Sequence, residues 1–190
     1  MSDATRKPWV ANKPEARLSI ATHRFLERTL LPPCYHTFIH DSDGGARTDL
    51  QRIRDANKGI TTGQLDGDVV QGIEVRPGVV RALCRKLELK RGTNKPTPRQ
   101  RETIAKLTAC GAAPIVAWTL AEVWTGLALA GFQFSGNAAT VLQHLEEELA
   151  AWDREAALIL SGEITRPQAR TARKMRVRVK NSGLTWRLPG

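Results

Sequence analysis

The sequence predicts a compact mixed α/β domain, followed by one long amphipathic helix and a basic tail. Three observations predict it. Stretches of period-two alternation (34–40, 68–75 and 79–90) are interleaved with stretches of helical spacing (14–31, 97–111 and 120–131). Prolines, glycines and capping residues punctuate the joins. The length of 190 residues suits one sizeable core and is short for two full domains.

Taken in order, residues 1–13 read as a flexible basic arm, and residues 14–135 as the folded domain. "PEARLSIATHRFLERTLL" is a helix: Pro14 suits a first turn, and Leu18, Ala21, Phe25 and Leu26 recur at helical spacing. Pro32-Pro33 ends it. "CYHTFIH" is a strand in which Tyr35, Thr37 and Ile39 alternate with His36, Phe38 and His40. "LQRIRDANKG" reads as a short basic helix stopped by Gly59. A strand follows around Asp68 to Val75, then the turn Arg76-Pro77-Gly78, then the strand "VVRALCRKLELK", so that the two form a hairpin. "TPRQRETIAKLTACG" is a helix with Thr97 as its cap, Pro98 in its first turn and Gly111 at its close. "APIVAWT" is a short apolar strand and "LAEVWTGLALAG" a helix. Residues 136–162 hold the long helix, with Val141, Leu142, Leu145, Leu149, Trp152, Ala156 and Ile159 on one stripe, packed on the core or on a second copy of the chain. Residues 163–190 form the basic tail.

The formal net charge is +10. A surplus of that size points to a polyanionic partner, most often nucleic acid. It is concentrated in the tail, where eight basic residues stand against one acid, Glu163. Arg170, Arg173, Lys174, Arg176 and Arg178, with Met175 and Trp186 among or near them, suit a phosphate-binding arm. No apolar run approaches the roughly 18 residues of a membrane span, and no secretory signal is visible. The three cysteines, Cys34, Cys84 and Cys110, are odd in number, widely spaced and without a CxxC pair. That excludes a disulfide framework and a zinc knuckle, and predicts free thiols in a reducing cytoplasm. His23, His36 and His40 lack the further ligands that zinc needs and read as structural or DNA-facing. Trp118 and Trp124 read as core.

The chemistry-bearing stretch is "LELK". Alternation puts Glu88 and Lys90 on one face of a strand and Leu87 and Leu89 on the other. Taken by itself, such an acid and base form a solvated surface pair. Three neighbours shift the reading. Asp66 and Asp68 start the partner strand, and carboxylates from two adjacent strands suit a hard divalent cation, although Asp-Gly also suits a turn. Lys90, beside such a cation, can steer an attacking water or meet charge developing on phosphoryl oxygens. Arg99 and Gln100 open the next helix, whose N-terminal N–H groups favour phosphate.

From Glu15 to about Gly131 the chain resembles the VRR-NUC nucleases, a branch of the PD-(D/E)XK superfamily. The matching pieces are "EARLSIATHRFL", "KGITTGQLD", "LELK", "PTPRQRETIAKLTACGA" and "VAWTLAEVWTGLALAG". The resemblance implies a restriction-endonuclease-like core, with a mixed central sheet flanked by helices, and Mg²⁺- or Mn²⁺-dependent cleavage of DNA. It implies metal ligation by Glu15, Asp66 and Glu88, and catalytic roles for Asp66, Glu88, Lys90 and Gln100. The family reads Pro-Asp before its apolar strand. Here the spacing from Gly59 and Gly63 selects Asp66, and the apolar strand that follows directly selects Asp68 as the alternative. The hairpin loop at 72–85 is also longer than the family's.

The resulting expectation is a DNA endonuclease of a bacterial or phage-infected cell, selective for junctions or flaps. It would grip the DNA backbone through Arg52, Arg54, Lys58, Arg99 and the tail. Junction cutting needs two active sites and therefore a homodimer, with helix 138–160 as candidate interface. The rival expectation is a nucleic-acid-binding protein that keeps the fold without catalysis, and a third is an assembly protein with a basic tail.

Overall fold

The computed structural model describes residues 14–38 and 65–163. The arm at 1–13, the basic helix expected at 50–59, and the tail beyond Glu163 lie outside the described residues. So do Arg52, Arg54, Lys58, Arg170, Arg173, Lys174, Arg176 and Arg178. The elements are α1 (Pro14–Thr29), β1 (Cys34–Phe38), β2 (Gly67–Arg76), β3 (Val79–Leu89), α2 (Pro98–Ala109), β4 (Ile115–Ala117), α3 (Leu120–Leu129) and α4 (Ala138–Leu160).

The four strands form one mixed sheet in the order β1-β2-β3-β4, flanked by helices. β1, β2 and β3 are antiparallel, whereas β4 runs parallel to β3. A parallel partner requires a crossover, and α2 provides it. Register sets which residues meet: Asp68 stands opposite Lys86, Gly67 opposite Leu87, and Glu88 opposite Val116. β1 crosses β2 closely at Gly67, where a Cβ would lie 2.7 Å from the Phe38 ring and 2.9 Å from Thr37 O. A side chain there would push β1 off the sheet.

α1 starts at Pro14 with Glu15 in its first turn, and stops at Thr29, ahead of the proline pair. Leu18, Ala21, Phe25 and Leu26 are its buried stripe. They join Val69, Leu87, Leu89, Ala117, Leu120, Val123 and Leu127 in the core. Phe25 meets Trp124 edge-on at 6.4 Å and Phe134 at 5.8 Å. Gly126 lets α3 lie on β4, since a Cβ there would come within 2.9 Å of Ile115. Trp118 and Trp124 are half-buried rather than fully enclosed.

The ends of the helices follow their capping chemistry. Thr97 and Gln100 form a reciprocal capping box at α2, with Pro98 at its first position. Gly111 takes φ 77° just beyond α2. Thr119 caps α3, and Glu122 reaches back to accept from Trp118 N–H at 2.6 Å. Gln71 was not expected as a core residue, yet it is almost fully buried. Its amide donates to Leu31 O and Gln133 O, and its oxygen accepts from Gln133 N–H, at 2.7–2.9 Å. It ties the loops after α1 and α3 to the sheet.

Contacts divide the chain at Glu147, within α4. One compact unit is Glu15–Glu147, and its first turns of α4 bury Ala138 and Leu145. In the second unit, the described residues are Pro14, the remainder of α4 and the turn after it, with Leu149, Glu155 and Ala156 buried. Among the described residues no helix is long and apolar enough to cross a membrane.

Candidate functional site

The site lies where β3 leaves the sheet. Glu88 is the middle of the three residues that pair with β4, and Lys90 comes just past the last of them, its N–H bonded to Ala117 O at 2.8 Å. The strand alternates as expected, but both of its faces are closed: Leu87, Glu88 and Leu89 are at most 1% exposed, and Lys90 only 6%. A solvated surface pair is therefore ruled out, because the face that alternation by itself leaves open is buried here, with Glu15 of α1 reaching toward Lys90 on it.

Lys90 Nζ stands 2.5 Å from Glu88 Oε1 and 3.9 Å from Glu15 Oε1. Lys90 is the ion-pair partner of Glu88 Oε1, and among the described residues no other donor serves the two buried oxygens. Burial pushes the Glu88 carboxyl up to about 7; the Lys90 contact and charge oppose this, and the charges of Asp66 and Glu15 add to it. For Lys90, burial favours the neutral amine, but the contact with Glu88 and the charges of Glu88, Glu15 and Asp66 outweigh it and raise its pKa. The result is a firmly charged ammonium beside a carboxylate that ionises reluctantly.

Asp66 precedes β2 and accepts from Leu89 N–H at 2.6 Å. That bond holds its carboxylate against the end of β3, near Glu88 and Lys90. Asp68, two residues on, is taken by Lys86 Nζ at 2.6 Å, its register partner. Of the two aspartates, it is Asp66 whose charge bears on Glu88 and Lys90. Glu15 comes from the first turn of α1 and is held by Asn94 Nδ2 at 3.0 Å. Asn94 is held in turn by Trp118, whose indole N–H donates to Asn94 O at 2.8 Å. Neither Asn94 nor this role for Trp118 was expected; the only sequence signal was an Asn in the loop just after the "LELK" strand.

Gln100 does something local: its side-chain oxygen accepts from Thr97 N–H at 2.9 Å in the capping box. Arg99 is exposed on the first turn of α2. His23 and His36 pair across α1 and β1, with Nδ1 and Nε2 3.0 Å apart. Burial and then the neighbouring His23 lower the pKa of His36, with Glu27 opposing. His40 lies outside the described residues. The three cysteines are exposed free thiols.

Among the described residues no three His, Cys, Asp or Glu side chains converge as a ready metal cage. Asp66 and Glu88 nevertheless offer carboxylates from adjacent chain segments, and Glu88 Oε2 is a buried acceptor with no donor among the described residues. Mg²⁺ is ordinarily held by one or two carboxylates with water completing its shell, so this all-oxygen set fits a hard divalent cation. No protein-family model, no curated protein and no solved structure matches the chain.

Proposed function

We propose that the chain is a divalent-metal-dependent DNA endonuclease of the VRR-NUC type, hydrolysing phosphodiester bonds in branched or flapped DNA. The observation that carries the reading is Glu88: a fully buried carboxylate, ion-paired with Lys90 and electrostatically coupled to Asp66 and Glu15. Lys90 is one cation set against three gathered carboxylates, and a divalent cation would offset the repulsion that remains among them. The order helix acid, Asp, ExK strand, helix supports the same reading, and so does the charge of +10.

In this reading Asp66 and Glu88 hold Mg²⁺ or Mn²⁺, with Glu15 joining directly or through water. When bound, such an ion polarises a phosphoryl oxygen and lowers the pKa of a bound water. The Leu89 N–H fixes the direction of Asp66, and Asn94 that of Glu15. Lys90 stays charged and offers its ammonium to the charge that grows on the phosphoryl oxygens, or orients the attacking water. Gln100 organises the start of α2, whose N–H groups face a phosphate favourably.

The second reading, a nucleic-acid binder that keeps the fold, is favoured by one observation: Glu88 and Lys90 already neutralise each other. The test compares Asp66→Asn with Asp68→Asn in Mn²⁺-dependent cleavage. We expect Asp66→Asn to lose cleavage and Asp68→Asn to keep most of it. Equal cleavage by both variants would sink the assignment, and no cleavage by wild type on any DNA would favour the binder.

A further inference from the structure

We propose that the outer part of the β2–β3 hairpin is an arm that grips duplex DNA, with arginines on the phosphates and an apolar tip in a groove. This rests on the reading of DNA as the partner. The sheet stops well short of the hairpin's end. On one side β1 pairs no further than Gln71, with Gly72 N–H still bonded to Pro33 O; on the other, β4 reaches only Leu87. Ile73–Arg76 and Val79–Arg81 pair only with each other. At about 3.3 Å per residue, four residues project ~13 Å. A two-stranded ribbon of that size enters a major groove about 12 Å wide.

The tip is built to hold its shape. Gly78 takes φ 74°, and its N–H donates to Glu74 Oε1 at 2.7 Å. That bond occupies the one acid of the ribbon within its own turn. Arg76 and Arg81 have no acidic partner among the described residues, so the arm is basic. Val75, Val79 and Val80 are 52%, 51% and 62% exposed. Apolar residues among unpaired arginines suit a polyanion with apolar base edges: in the major groove, side chains of this kind meet thymine methyls beside the phosphate contacts. A protein partner for the valines would leave the arginines unanswered.

The test uses the full chain and a labelled duplex in chelator, so that binding is read without cleavage. Arg76→Ser/Arg81→Ser removes two phosphate contacts. At a slope of about 0.9 per contact it should bind ~60-fold more weakly than wild type at 0.1 M salt, with the gap closing toward 1 M. Val79→Ser/Val80→Ser should bind about tenfold more weakly with the salt slope unchanged. Lys95→Ser/Lys106→Ser, on exposed positions elsewhere, is the charge-matched control and should lose less than the arginine pair. The arm is overturned if both ribbon variants bind within twofold of wild type, or if the control loses as much as the arginine pair. It is equally overturned if the valine variant changes only self-association in sedimentation, which would make the tip a contact between copies. Mg²⁺-dependent cutting is scored separately. A wild type that binds through the arm but never cuts leaves this proposal standing and removes the nuclease reading. A wild type that cuts while the ribbon variants bind normally does the reverse.

Discussion

Replacing Glu88 with Gln should make the protein more stable at pH 8 and leave it almost unchanged at pH 4. Gln matches Glu in shape but cannot ionise. The folded carboxyl titrates near 7 against a reference of 4.5, chiefly because it is buried. Below 4.5 the group is protonated in both the folded and the unfolded chain, and the two proteins are equivalent. Between 4.5 and 7 the folded state retains a proton that the unfolded state has released, so wild-type stability falls as pH rises. At 1.36 kcal/mol per unit the fall reaches about 3 kcal/mol by pH 8. In a chain of this size that is a melting difference on the order of 6–12 °C. Urea melts of both proteins from pH 4 to pH 8 read it, with Lys90, whose pKa Glu88 helps to raise, the other group whose titration the substitution changes. A gap that does not change with pH, or one in which wild type gains on the variant as pH rises, would refute the reasoning. Saturating Mn²⁺ at pH 8 should narrow the gap by stabilising wild type more than the variant, which keeps Asp66 but lacks the Glu88 carboxylate.

Gln71→Ala should cost about 3 kcal/mol in urea melts, because it strands the buried groups of Leu31 and Gln133 that the amide serves. Thr97→Ala removes the α2 cap and should cost about 1 kcal/mol; a loss of cleavage far beyond that of stability would show that Gln100 and its helix start touch the substrate. Gly67→Val should be destabilising by several-fold more than a surface substitution, on the order of 3 kcal/mol, because the new side chain meets Phe38 and Thr37. A wild-type melting curve for that variant would contradict the close crossing of β1 over β2.

Local signals carried most of the fold. Thr97, Pro98 and Gly111 marked α2, Arg76-Pro77-Gly78 marked the hairpin turn, and the apolar stripe from Val141 onward marked α4, because each depends on neighbours a few residues away. What the strands would be covered by depends on distant chain. The period of "LELK" placed Glu88 on the face away from two leucines, but it could not show that the acidic face is buried as well. Between Asp66 and Asp68 the sequence leaned to Asp66 by its spacing from Gly59 and Gly63. Where each carboxylate goes depends on register, which the sequence does not show: Asp68 falls opposite Lys86, which takes it, while Asp66 falls beside the end of β3, where Leu89 N–H holds it. Asn94 and Gln71 act through partners 79 and 62 positions away, beyond the reach of any local pattern.

The central claim is that the Asp66, Glu88 and Lys90 cluster cuts DNA with a divalent cation. Its most direct measurement is single-turnover cleavage of branched, flapped and linear DNA in Mg²⁺ or Mn²⁺, comparing wild type with Lys90→Ala at matched DNA occupancy. The account predicts cleavage by wild type that chelator abolishes and that falls by at least ~100-fold in the variant. Equal binding with no cutting by either protein, or equal cutting by both, would contradict it.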